Sequence, residues 1–241
     1  MGVRIKWLGH ASFQVVTDSG RHIYLDPWIR ENPVCPIKMD DITRADIVCA
    51  THGHPDHLGE SIEIIKKTKG ILICSPEIGV FAQNKGIPYD GENSYPMNIG
   101  GSVKIDGIEV VMTNAVHTSD TWEEGRLVTG SGACGYIIVT DEDVRIYFAG
   151  DTGLFGDMEL IGQLYAPQIA MLPVGGKYNM GSREAAFAAH LIRADVLIPM
   201  HYGTFPNQTA NLEELQNYLR VLAPMTRVKA LKVGEVLRYP A

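Results

Sequence analysis

The stretch CATHGHPDHLG, residues 49–59, places His52, His54, Asp56 and His57 within six positions. It follows directly on DIVCA, residues 46–50, an apolar run that reads as a buried strand. Three imidazoles at the end of such a strand repel one another once protonated, and an apolar core has no use for them. They make sense around a cation. In extended backbone, alternate side chains point to one side. His52 and His54 therefore face the same way and can share one ion, and Gly53 between them permits a tight backbone approach. Pro55 forces a turn, after which Asp56 and His57 are placed to serve a second ion. Mixed imidazole and carboxylate donors suit Zn²⁺, with Mn²⁺ or Fe²⁺ as alternatives.

Four ligands leave two ions under-coordinated, so the fold must bring more donors to the same place. VVMTNAVH ends in His117, RIYFAGDTG carries Asp151, and VLIPMH ends in His201. Each lies where a buried strand gives way to a loop, the usual address of sites in α/β sheets. Five of the eight histidines in the chain now sit at such positions, which scatter does not readily produce.

The rest of the chain supplies the frame. VRIKWL, SFQVVT and HIYLD read as short strands, the last two joined through Asp18-Ser19-Gly20. A helix is expected over LGESIEIIKKTKG, stopped by Gly70, and then a buried strand, ILIC. SVKI with IEVVMT, and ACGYIIVT with VRIYFAG, read as two hairpins. QIAMLPV and VLIPM read as strands, SREAAFAAHLIR and NLEELQNYLRVL as helices, with Ser182 expected as an N-cap. RVKALKV and EVLRYP are expected as closing strands. Two blocks of strands with attendant helices predict an α/β fold: a four-layer αββα sandwich formed as one domain over residues 1–241.

The pattern HxHxDH, a distant His, an Asp after a strand and a last His resembles the metallo-β-lactamase superfamily. WLGHASF, LDPW, YFAGDTGLF, MLPVGG and PMHYGTFP narrow the resemblance to its UlaG-like branch of uncharacterised, UPF0173-type, metal-dependent hydrolases. The resemblance covers almost the whole chain. It implies the αββα fold and a binuclear centre. His52, His54 and His117 match the ligands of one ion, Asp56, His57 and His201 those of the other, and Asp151 the carboxylate bridging both. Gln168 and Ser182 depart from the branch, which often carries acidic residues there; neither is a ligand position.

Two divalent ions can hold a bridging hydroxide, a nucleophile at neutral pH. The expected reaction is hydrolysis of an ester-type bond, phosphodiester or lactone, in a small anionic metabolite. No G-x-S-x-G motif offers a serine nucleophile. Asp56, Asp151 and His10 are the expected catalytic residues. For His10, contact with substrate or proton donation stands beside a purely bracing role. Asp26, after the strand IYL, is expected to orient the metal loop by hydrogen bonds. Lys177, Arg126 and His10 are the candidate anion contacts, and WEEGR, residues 122–126, is expected as a mobile loop over the site. His22 and His190 read as structural or exposed, Cys49 as a small core hydrophobe.

The formal net charge of −7 argues against broad nucleic-acid binding, and so against a ribonuclease of the same superfamily. An oxygen-reducing di-iron protein carries a carboxylate where this chain has His54. A non-catalytic metal-binding scaffold is the other alternative. Four scattered cysteines without a CxxC pair suit reduced thiols in the cytoplasm. No apolar run approaches the 18 residues a membrane span needs. A small-molecule substrate is the expected partner, and a homo-oligomer is left open.

Overall fold

Alternation shapes the first strands. In β1 (Val3–Trp7), Val3, Ile5 and Trp7 are buried while Arg4 and Lys6 stand half-exposed, and β2 (Phe13–Thr17) repeats the pattern. After β3 (His22–Leu25) the next strand turns apolar on both faces, as strands covered by helices do. In β4 (Ile47–Cys49), Ile47 and Cys49 face one cluster of core residues and Val48 another. The computed structural model describes residues 2–240 except 124, 129 and 131.

Beyond β4 come the single helical turn α1 (Pro55–Leu58), α2 (Ser61–Thr68), β5 (Ile71–Cys74), α3 (Pro76–Asn84) and β6 (Ser94–Pro96). The second block runs β7 (Ser102–Ile105), β8 (Ile108–Asn114), the short pair β9 (Thr121–Glu123) and β10 (Arg126–Val128), β11 (Cys134–Val139) and β12 (Arg145–Phe148). It continues with α4 (Met158–Tyr165), β13 (Ile169–Pro173), α5 (Ser182–Ile192), β14 (Val196–Met200), α6 (Leu212–Leu222), β15 (Arg227–Val228) and β16 (Val236–Tyr239).

Among the described residues two seven-stranded sheets form, ordered β16-β1-β2-β3-β4-β5-β6 and β15-β14-β13-β12-β11-β8-β7. Both are mixed: β3 to β6 run parallel, as do β12 to β15. One core lies between the sheets, with Phe13, Leu25 and Ile47 of the first against Met112, Tyr136 and Phe148 of the second. A second core lies under α4, α5 and α6, and a third under α2 and α3. The architecture is the expected αββα sandwich, and the chain end returns as β16 to pair with β1.

The structure corrects several local expectations. Helix α2 ends at Lys69, which takes the left-handed conformation (φ 62°) in place of Gly70. Gly181 caps α5, and the Ser182 hydroxyl instead donates to the Asn211 carbonyl (2.9 Å). RVKALKV keeps only two strand residues. Residues 122–126 belong to a small hairpin, with Trp122 paired to Leu127; Glu124 of that stretch lies outside the described residues. Helices α3 and α4 and strand β6 were not expected. Among the described residues no helix is long and apolar enough to cross a membrane.

Candidate metal centre

The candidate ligands gather where strands end. His52 follows β4, and α1 then lifts Asp56 and His57 from its first turn, with Pro55 at the first helical position and His54 before it. His117 follows β8, Asp151 follows β12 and His201 follows β14. Two glycines make room. A Cβ on Gly53 would stand 2.9 Å from the Ser119 carbonyl oxygen. Gly150 has φ +59°, and a Cβ there would meet the Thr51 side chain at 2.8 Å.

His52, His54 and His117 form one cluster, each offering a ring nitrogen within 4.8 Å of the others. His52 Nε2 lies 3.0 Å from His54 Nδ1. Asp56, His57, His201 and His10 form a second cluster by the same measure. Asp151 stands between them. Its Oδ2 lies 3.0 Å from His201 Nε2, 3.5 Å from His57 Nε2 and 3.6 Å from His117 Nε2. Its other oxygen accepts a hydrogen bond from Asn179 Nδ2 at 3.0 Å.

Hydrogen bonds on the far side set the tautomers. Asp26, fully buried, accepts from the Thr51 amide (2.8 Å), the Thr51 hydroxyl (2.6 Å) and His57 Nδ1 (2.7 Å). His57 thereby turns Nε2 inward. The Thr51 hydroxyl, already donating to Asp26, accepts from His52 Nδ1 (2.9 Å), which leaves the His52 Nε2 lone pair inward as well. Far-side partners of this kind are what ligating histidines carry.

Does a metal fit these residues? Inside the cluster the buried nitrogens His57 Nε2 and His201 Nε2 have no hydrogen-bond partner. His201 Nε2 approaches Asp151 Oδ2 to 3.0 Å without hydrogen-bond alignment, the relation expected of two ligands on one ion rather than of donor and acceptor. Imidazole and carboxylate together match the chemistry of Zn²⁺, Mn²⁺ or Fe²⁺. The residues fit.

Electrostatics lead to the same place. Burial holds His52 well below its ordinary value, with the neighbouring His57 adding to the effect, and burial lowers His54 and His117 as well. These rings are kept neutral, as ligands must be. Burial also acts to lower His57, but Asp151 and Asp26 on its two sides outweigh it and push the ring well up. Burial acts to raise Asp151, yet the charges of His201 and His57 hold it far down. A cation is required here, whether proton or metal.

His10 is fully buried, and its Nε2 meets Asp56 Oδ2 at 3.0 Å. Burial lowers its pKa to about 4, against the hydrogen bond to Asp56. The ring is packed edge-on to Trp28 and lies 3.7 Å, centroid to centroid, from His201. It lies buried behind Asp56, outside the cavity wall, with its Nε2 directed at that carboxylate. Three residues of the centre, His10 (φ 56°), Asp26 (φ 42°) and His201 (φ 60°), occupy the left-handed region, where non-glycine residues are held only by their surroundings.

A cavity of about 490 Å³ opens over the centre, walled by His54, Asp56, His117, Asp151 and His201 with Tyr178, Phe205, Gln208 and neighbours. Lys177 and Arg126, the expected anion contacts, are not in its wall. Lys177 instead stacks over the Tyr178 ring at 4.9 Å, and Arg126 lies exposed on β10. Asn179, Thr51, Phe205 and Gln208 are site residues that the sequence reading did not single out. Asn179 lies in GGKYNMG, between glycines, and Thr51 stands directly before the histidines.

The beta-lactamase superfamily domain matches residues 4–201. The chain is also 44% identical over 234 residues, 97% of both proteins, to a UPF0173 metal-dependent hydrolase of Koribacter versatilis. The chain belongs to the metallo-β-lactamase superfamily, among its UPF0173 metal-dependent hydrolases. A UPF0173 hydrolase of Methanopyrus kandleri is 43% identical over 97% of this chain and 98% of its own. The structure of Igni18, a metallo hydrolase from Ignicoccus hospitalis, matches with a TM-score of 0.86 at 34% identity, over 100% of both chains. This UPF0173 chain is thus a metal-dependent hydrolase, and its His and Asp clusters are the donors available for the metal.

Proposed function

We propose that this UPF0173 hydrolase binds two divalent ions and cleaves an ester-type bond in a small molecule. One observation carries the reading: Asp151 Oδ2 lies within 3.6 Å of ring nitrogens from both clusters. A carboxylate oxygen so placed could be shared, because it carries a negative charge and lone pairs for cations on either side. His52, His54 and His117 would hold one ion, and Asp56, His57 and His201 the other. Zn²⁺ is the proposed metal, with Mn²⁺ and Fe²⁺ as alternatives.

Metal held by these residues would supply Lewis-acid polarisation of the scissile bond and would lower the pKa of a bound water toward about 7. The protein does the rest. Asp26 and Thr51 fix the imidazole tautomers, His10 holds Asp56, and Asn179 holds Asp151. The carboxylates offset the mutual repulsion of two cations. A lactone or carboxylic ester suits the cavity better than a phosphodiester, since no lysine or arginine stands in its wall. Four unpaired cysteines support placing the enzyme in a reducing compartment, the cytoplasm.

Elemental analysis of protein reconstituted with Zn²⁺ tests the reading. About two ions per chain are expected, together with ester hydrolysis that a chelator abolishes. Saturation near one ion defeats the binuclear assignment, and hydrolysis that survives complete metal removal defeats the mechanism.

A further inference from the structure

Gln208 is buried in the cavity wall with only 3% of its surface exposed, and its Oε1 has no hydrogen-bond partner. Buried amide oxygens are almost always paired within a protein, so an unpaired one behind the wall of an open cavity has to be explained. The backbone of this residue is held in place. Gln208 N–H donates to the Phe205 carbonyl (3.0 Å), and the Gln208 carbonyl accepts from Gly203 N–H (2.8 Å). The loop after His201 is thereby closed on itself.

The neighbouring wall is aromatic and fixed. Phe205 stacks on Trp28 at 5.9 Å and meets His10 edge-on at 5.6 Å. Tyr178, 54% exposed, stands at the mouth. Among the described residues, the only carboxylates in the wall are Asp56 and Asp151, and no lysine or arginine is present.

We propose that Gln208 selects the substrate: its amide takes an uncharged hydrogen-bonding group on the arm of a carboxylic ester or lactone, while Phe205 and Tyr178 flank that arm. The inference rests on the hydrolase reading above and specifies its substrate class. The reaction adds water across the ester. The acyl C–O bond breaks, the water oxygen joins the acyl carbon, and the leaving oxygen takes a proton. A site that hydrogen-bonds a substrate group discriminates against the analogue lacking it, because its own buried group is then left unpaired.

Three phenyl esters test this on the Zn²⁺-loaded protein: phenyl N-acetylglycinate, with an uncharged amide arm, phenyl pentanoate, without the amide, and phenyl hydrogen succinate, with a carboxylate arm. Rates are normalised to hydroxide hydrolysis. The N-acetylglycinate is expected to exceed the succinate in kcat/KM by tenfold or more. Gln208→Leu is expected to lower the N-acetylglycinate-to-pentanoate ratio about tenfold, the worth of one hydrogen bond. Gln208→Glu, of the same shape, serves if the Leu variant does not fold, and should shift preference further from the succinate. Preference for the succinate, or an unchanged ratio in the variants, overturns the proposal. If metal-loaded protein cleaves none of the three, the ester-hydrolase reading fails. Calorimetric binding of N-acetylglycine anilide then decides this one. Binding weakened about tenfold by Gln208→Leu supports it, and no binding or unchanged binding overturns it.

Discussion

Asp26 sits behind the centre, fully buried, and three donated hydrogen bonds converge on it. Burial pushes its carboxyl up, against the pull of His57 and Thr51. Asp26→Asn is an informative change because asparagine tolerates the left-handed backbone (φ 42°) that this position demands. The shape is kept, but the amide cannot accept on both atoms, so either His57 or Thr51 loses its acceptor. Metal affinity should fall about 10–100-fold with the fold intact, as read by titration against a competing chelator. Unchanged affinity would return Asp26 to a structural role. Asp151→Ala removes more. It takes away the one oxygen near nitrogens of both clusters, so bound metal should drop to one ion or fewer. Hydrolysis should fall as far as in His52→Ala, with circular dichroism unchanged. Two retained ions and a near-normal rate would make Asp151 a turn residue only.

At the scale of elements, each strand that ends beside the centre is fixed by helices docked on its outer face. Helix α6 is one of these, packing Leu215 and Leu219 into the outer core. Its first turn is capped by the Asn211 side chain, which accepts from Glu214 N–H (3.0 Å). Asn211→Ala should therefore cost about 1 kcal/mol, roughly 2–4 °C in Tm for a chain of this size, with no change in metal content. A loss of metal instead would mean that the cap also holds the site. This helix was legible because its apolar residues keep a helical period and its cap precedes them. Helices α3 and α4 were not, although Ser75 caps α3 and Pro76 begins it. Both carry a glycine inside, Gly79 and Gly162, which disfavours helix by about 1 kcal/mol. In α4, Leu160 and Leu164 are exposed while Met158 and Ile161 are buried, so the apolar pattern has no single face. The seven candidate ligands were visible because they follow strands of unbroken apolar sequence. Asn179 and Gln208 follow no such signal: their place depends on how loops from distant strands fold over one cavity, which local pattern does not encode.

For the whole molecule, the centre ties the two sheets together along one edge. His52, His54, Asp56 and His57 come from the first sheet, His117, Asp151 and His201 from the second. Ligand binding to the folded state alone stabilises by about 4 kcal/mol at a thousandfold excess over Kd, so chelation should lower Tm by roughly 10 °C. The metal-free chain should also be acid-sensitive, and the sign follows from its imidazoles. Burial holds His10, His52, His54 and His117 below their ordinary value of 6.5. Such groups contribute stability that is present above 6.5 and lost as pH falls, because the unfolded chain then takes protons the folded chain refuses. His57, raised by Asp151 and Asp26 against burial, acts oppositely: its contribution is complete below 6.5 and lost as pH rises through its folded value. Asp56 and Asp151, both depressed, enter only toward 3.8 and below. Between about pH 7 and 5 the lowered histidines, His22 among them, thus outnumber His57 and the raised Asp26, and Tm of the chelated protein should fall on acidification. With metal present the fall should be steeper, since protons and metal compete for the same nitrogens. A chelated protein whose Tm holds or rises from pH 7 to 5 would show that these imidazoles are not kept neutral, and the arrangement of the centre would have to be redrawn.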